Sequence, residues 1–98
     1  MIEVLVALQP INLQQKDILE KFLKKKSFKA IKDEEFIYKS KSSTTIIATK
    51  TYILEIFSQA LENISFDSCD IVFLINETTY PLYTYDKKLN EFIIIKND

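Results

Sequence analysis

Two short runs constrain this chain more than any other feature. Ile2 to Leu8 (IEVLVAL) is interrupted only by Glu3, and Ile71 to Ile75 (IVFLI) is not interrupted at all. Both are rich in β-branched residues and of strand length, so each reads as a β-strand. A strand packed on one side alternates apolar with polar residues. These runs do not alternate, and so they supply apolar side chains to both faces of a sheet. Leaving a large aliphatic side chain in water forgoes roughly 1.5 to 3 kcal/mol of burial. A face carrying several of them therefore calls for a cover. The cover expected here is a second copy, in a self-complementary homodimer, or else the chain's own C-terminal segment folded back.

The rest of the chain supplies helices and further strands. Pro10 is expected to end the first strand. Asn12 and Gln15 have the spacing of a capping box, with Asn12 as the N-cap of a first helix. Ile18, Leu19, Phe22 and Leu23 share one face of that helix, and Lys24 to Lys26 close its last turn, where cations suit the dipole, so its end is expected near Ser27. Phe28 to Ile31 and Glu35 to Lys39 read as strand turned around Asp33 and Glu34. After a turn over Lys39 to Ser43, the β-branched stretch Ser42 to Ala48 reads as another strand. Thr49 or Thr51 is then expected to cap a second helix, whose stripe of Ile53, Ile56, Phe57, Ala60, Leu61 and Ile64 is the strongest periodicity in the chain. Asp67 to Asp70 connects it to the Ile71 strand. Tyr80, Tyr83 and Tyr85, a turn at Asp86 to Asn90, and Phe92 to Ile95 form a β-hairpin, with Pro81 placing its first arm at an edge.

Strand, helix, two strands, helix and strand in 98 residues give one α+β domain spanning 1–98. The expected fold is a ferredoxin-like two-layer sandwich (βαββαβ) with a C-terminal β-hairpin or extra strand.

Composition excludes several kinds of chemistry. The chain has no Gly, His, Trp or Arg, against 15 Ile and 13 Lys. Without Gly there is no phosphate-cradling loop of the P-loop or dinucleotide type. Without His the commonest general base and zinc ligand is missing. Without Arg, anions are met only by Lys point charges. Cys69 is the only cysteine, which rules out an internal disulfide, and with Asp70 beside it the thiol reads as a small buried hydrophobe. The N-terminal apolar run is too short to span a membrane and has no basic segment ahead of it, so the cytoplasm is the expected compartment. No cofactor, metal or catalytic residue is expected.

Charge is segregated. Lys16 to Lys50 holds ten Lys against five acids, and Thr51 to Asp98 holds three Lys against eight. Lys21, Lys24, Lys25, Lys26, Lys29 and Lys32 form a run without acids that suits a phosphate backbone, although the solvated end of a helix has the same appearance. The expected central strands, Ile2 to Leu8 and Ser42 to Ala48, carry no aromatic residue, which disfavours base stacking in the RRM manner. Tyr80, Tyr83, Tyr85 and Phe92 are the candidate interface residues, on the hairpin. Asp33, Glu34 and Glu35, or Asp67 with Asp70, are the only carboxylates clustered enough to suggest Mg²⁺, and both clusters lie in expected turns.

The order of elements, the apolar second face and the extra C-terminal strand resemble the small ferredoxin-like family that contains the CRISPR-associated spacer-integration subunit and related ribonuclease antitoxins. The resemblance covers most of the chain and implies a homodimeric scaffold for nucleic acid or a protein. Nuclease members carry an Asp at the end of the first strand, where this sequence has Leu8, Gln9 and Pro10. The expectation is therefore a non-enzymatic binding or regulatory module; the alternative is a nucleic-acid-binding protein or metal-dependent nuclease.

Overall fold

The Ile2 run forms the sheet's central strand, and it is longer than the sequence suggests. A computed structural model describes residues 1–94. Its strands are β1 (Ile2–Ile11), β2 (Lys29–Ala30), β3 (Ile37–Ser42), β4 (Ser68–Ile75), β5 (Thr78–Thr79), β6 (Tyr83–Asp86) and β7 (Glu91–Ile94). The helices are α1 (Lys16–Lys25) and α2 (Ile46–Glu62). All seven strands join one antiparallel sheet in the order β2-β3-β1-β4-β6-β7. β5 pairs with β4 at Leu74 and Ile75, and β6 pairs with it at Asp70 and Ile71. Pro81 falls between the two, where no ladder bond is asked of it.

Pro10 does not end β1. Leu8 N–H donates to Phe36 C=O on the β3 side, 2.9 Å, and the nitrogen of Pro10, two residues on, points the same way. β3 no longer accompanies β1 there, since their pairing stops at Ala7 and Ile37. The missing N–H therefore breaks nothing, and β1 stays paired with β4 as far as Ile11 and Ser68.

The two long runs alternate after all. Val4, Val6 and Leu8 of β1 and Cys69, Ile71, Phe73 and Ile75 of β4 are buried, while their neighbours of opposite parity are not. The buried set joins Tyr38, Tyr83, Tyr85 and Phe92 from the sheet with Leu19 and Leu23 of α1 and the predicted stripe of α2 in a single hydrophobic cluster. Both helices thus cover the same face. The C-terminal hairpin lengthens the sheet beyond β4 instead of folding over its other face; Ile95, expected in its second arm, lies outside the described residues.

Between the helices the register differs from expectation. The Phe28 to Ile31 strand shrinks to Lys29–Ala30, the supposed turn at Lys39 lies inside β3, and Ser42 to Ala48 is not a strand. Thr45, rather than Thr49 or Thr51, caps α2: its hydroxyl accepts from Ala48 N–H at 3.1 Å. Thr49 is buried, and its hydroxyl bonds to Thr45 C=O and Ser42 Oγ. This local bonding outweighs the β-propensity of Thr44, Thr45, Ile46 and Ile47. Asn12 likewise is not a cap. It takes φ 54°, its side-chain amide donates to Asp67 Oδ2 at 2.5 Å, and α1 starts after Gln15 without a side-chain cap.

A chain without glycine must use other residues wherever φ is positive, and eight described residues do so. Asn76 (φ 49°) and Glu77 (φ 70°) form the two-residue turn from β4 to β5, and Asn76 Oδ1 accepts from Glu3 N–H at 2.9 Å. Ser27 (φ 69°) ends α1 in a Schellman motif: Phe28 N–H donates to Leu23 C=O, Ser27 N–H donates to Lys24 C=O, and buried Leu23 and Phe28 supply the accompanying apolar pair. An L-residue in this region carries a cost of about 1 to 2 kcal/mol that glycine avoids, less glycine's own entropy. Ser27→Gly is expected to raise the unfolding free energy by up to about 1 kcal/mol, read from the urea midpoint. A lower midpoint would contradict this reading of the motif.

Candidate interaction face

Antiparallel pairing fixes which side chains share the face that the helices leave open. One row across the sheet is Lys29, Lys39, Leu5, Leu74 and Thr79. On one side of it lie Lys41 and Glu3. On the other come Ile37, Ala7 and Val72, then Gln9, Asp70, Thr84 and Ile93, and beyond these the pair Asp86 and Glu91. An apolar band of Leu5, Ala7, Ile37, Val72 and Leu74 therefore runs through the middle. Leu5 is 37% exposed and Ile93 40%; Ala7, Ile37, Val72 and Leu74 are half-buried. No described segment lies over the band. A groove of about 830 Å³ opens above Leu5 and Leu74, bordered by Lys29, Lys39, Lys41, Glu3 and Glu77.

The lysine run is divided between the two layers. Lys21, Lys24 and Lys25 are exposed on α1, in the helical layer, and Lys26 caps that helix with its ammonium 5.8 Å from the Phe22 ring centre. Lys32 is exposed in the loop after β2. Lys29 alone reaches the open groove, where it meets Lys39 and Lys41. The last two become visible only when Ile37 to Ser42 is read as one alternating strand, with Lys39 and Lys41 on the face opposite Tyr38.

The hairpin aromatics turn inward. Tyr83, Tyr85 and Phe92 are buried in this chain's own core, and Tyr80 is half-buried. Phe73 stacks with Tyr80 (5.3 Å between centroids) and Tyr83 (5.9 Å), and Lys50 Nζ lies 5.7 Å and 5.9 Å from these two tyrosine rings. Tyr85 meets Phe66 and Phe92 edge to face. Because these rings pack under the helices, the surface the hairpin offers a partner is made instead by Thr84, Asp86, Glu91 and Ile93.

The acidic turns bring no ligand set together: among the described residues no three His, Cys, Asp or Glu side chains are placed to hold a metal ion. Asp67 is bonded to Asn12, and Asp70 accepts from the Thr84 hydroxyl at 2.6 Å. Among the described residues no helix is long and apolar enough to cross a membrane.

Two buried groups hold their protons tightly. Burial, with a smaller effect of Asp70, pushes the Cys69 thiol from its ordinary 9.0 up to about 12. Burial, then its bond to Glu20 (2.8 Å), raises the Tyr38 phenol well above its ordinary value. A proton retained in the fold and lost from the unfolded chain destabilises the fold at high pH. The Cys69 contribution is thus intact below pH 9.0 and disappears as pH rises towards about 12. Urea midpoints should be level from about pH 7 to 8.5 and fall steadily above. In native protein at about pH 8, Cys69 should resist a disulfide-exchange reagent that labels it fully in denaturant. Rapid native labelling would contradict its burial.

Helices on one side of an antiparallel α+β sheet, with a half-apolar face on the other, define the kind of protein this is. No protein-family model matches the chain, nor does any curated protein or solved structure.

Proposed function

We propose that the protein is a cytoplasmic, non-enzymatic binding or regulatory module whose sheet is the scaffold of a homodimer. The observation that carries this reading is the band of Leu5, Ala7, Ile37, Val72 and Leu74, which is neither polar enough for an outer sheet face nor covered by any described residue. The order β2-β3-β1-β4, with α1 and α2 on one side, supports reading these elements as a ferredoxin-like sandwich extended by the hairpin. The absence of His, Arg and Gly from the sequence leaves few routes to catalysis and favours a role exercised through surfaces. Light scattering coupled to size exclusion tests the dimer. The expected mass is twice 11.5 kDa at micromolar concentration; a single chain's mass throughout would remove the scaffold reading.

Binding of nucleic acid is the second reading, favoured by the cluster of Lys29, Lys39 and Lys41 on a half-apolar groove. It requires association with mixed RNA or DNA that weakens steeply as salt rises. A lack of association even at low salt would eliminate it.

A further inference from the structure

The charges on the open face are arranged diagonally. Lys29, Lys39 and Lys41 occupy one corner, beside Glu3 and Glu77. Asp70, Asp86 and Glu91 occupy the opposite corner, with Lys88 in the adjoining turn. The apolar band lies between them. Three strand spacings and several residues along the strands separate Lys39 from Asp86, on the order of 20 Å. This exceeds the Debye length at physiological salt, so the two corners of one molecule do little to neutralise each other.

We infer that the open face seats a second copy of this chain, related by a two-fold axis that sets the basic corner of each copy on the acidic corner of the other. This rests on the homodimer reading above and adds the orientation of the copies. A two-fold axis lying between two facing sheets maps one corner onto the opposite corner only when it is perpendicular to the line joining them. That line runs diagonally across the strands, so the axis is oblique to them and the strands of the two copies cross steeply. Steep crossing is one of the two ways in which sheets pack face to face. The same operation lays each apolar band on its counterpart. An axis running along that line would instead juxtapose like-charged corners, an arrangement that complementary interfaces avoid. The molecule measures 36 × 34 Å across its two longer dimensions, enough for the roughly 800 Å² per partner that a stable dimer buries.

The test reverses each corner separately. Lys39→Glu/Lys41→Glu makes both corners acidic, and Asp70→Lys/Glu91→Lys makes both basic. Each variant alone should dimerise at least about tenfold more weakly than wild type at low salt, and an equimolar mixture should recover the affinity as a heterodimer. Variants that dimerise like wild type, with no preference for the mixture, would overturn the orientation while leaving the dimer standing. A monomeric wild type would overturn both, and a monomer that binds a nucleic acid probe would assign the basic corner to that ligand instead. Salt dependence of wild-type dissociation gives a readout that needs no variant. Dissociation should increase by about tenfold between low and high salt, whereas a purely apolar interface would not weaken.

Discussion

Replacing Phe57 with Ala should cost about 3 to 5 kcal/mol of folding free energy, a large share of the roughly 5 to 15 kcal/mol expected for a domain of this size. Phe57 is fully buried on α2, with its ring 5.0 Å from Phe28 and 5.9 Å from Tyr38. Phe28 closes the Schellman motif at the end of α1, and Tyr38 lies on β3 and donates to Glu20 of α1. Removing one ring therefore opens a cavity where both helices meet the sheet. None of its walls can move inward without disturbing the others, so the loss should lie towards the upper end for such substitutions. Urea titration followed by circular dichroism measures it. Leu89→Ala is the control, since Leu89 is 58% exposed in the final turn, and it should change stability by less than about 0.5 kcal/mol. A Phe57→Ala loss below about 1 kcal/mol would contradict the packing described for the helical layer.

The second large effect separates two residues adjacent in sequence. Leu5→Glu should leave the fold within about 1 kcal/mol of wild type, because Leu5 is already 37% exposed and its cross-strand neighbour is Lys39. It should nonetheless weaken the dimer by at least about 100-fold, since a carboxylate would have to be buried in the apolar band of a facing sheet. Val6→Glu should prevent folding, because Val6 is fully buried under the helices and an unpaired charge there has no partner. Light scattering and circular dichroism on both variants read the two outcomes independently. If Leu5→Glu destabilised the monomer as severely as Val6→Glu, the assignment of the open face would be wrong.

Long-period apolar patterns were legible in the sequence, and short polar segments were not. The stripe from Ile53 to Ile64 sits on the core as expected, because six apolar residues at helical spacing have only one face to share. The Ile2 and Ile71 runs are recognisable as strands, but the sequence reading sets Ser42 to Ala48 beside Ile2 at the centre of the sheet, a place that β4 takes instead. The apolarity of the two runs concealed the alternation, since Leu5, Ala7, Val72 and Leu74 are as hydrophobic as their buried neighbours and only the tertiary arrangement separates the parities. Ser42 to Ala48 reads as a strand because β-branched residues favour strands on average, whereas in the structure the Thr45 hydroxyl and the buried Thr49 begin a helix. Asn12 and Gln15 have capping-box spacing, yet both adopt positive φ, a role that falls to polar residues at seven of the eight described positions in this chain without glycine, Phe36 being the eighth. Among the candidate site residues, the sequence pointed to Lys29 but attached it to the α1 lysines. Its partners Lys39 and Lys41 come from β3, through a pairing that local pattern does not reveal.

An isotope-filtered nuclear Overhauser experiment on an equimolar mixture of labelled and unlabelled protein tests the central claim most directly, because it detects contacts between copies atom by atom. The account predicts intermolecular cross-peaks from the methyl groups of Leu5, Ile37, Val72 and Leu74. Their absence from a sample of dimeric mass, or cross-peaks confined to outward residues such as Ile46 and Ile47, would contradict it and place the second copy elsewhere.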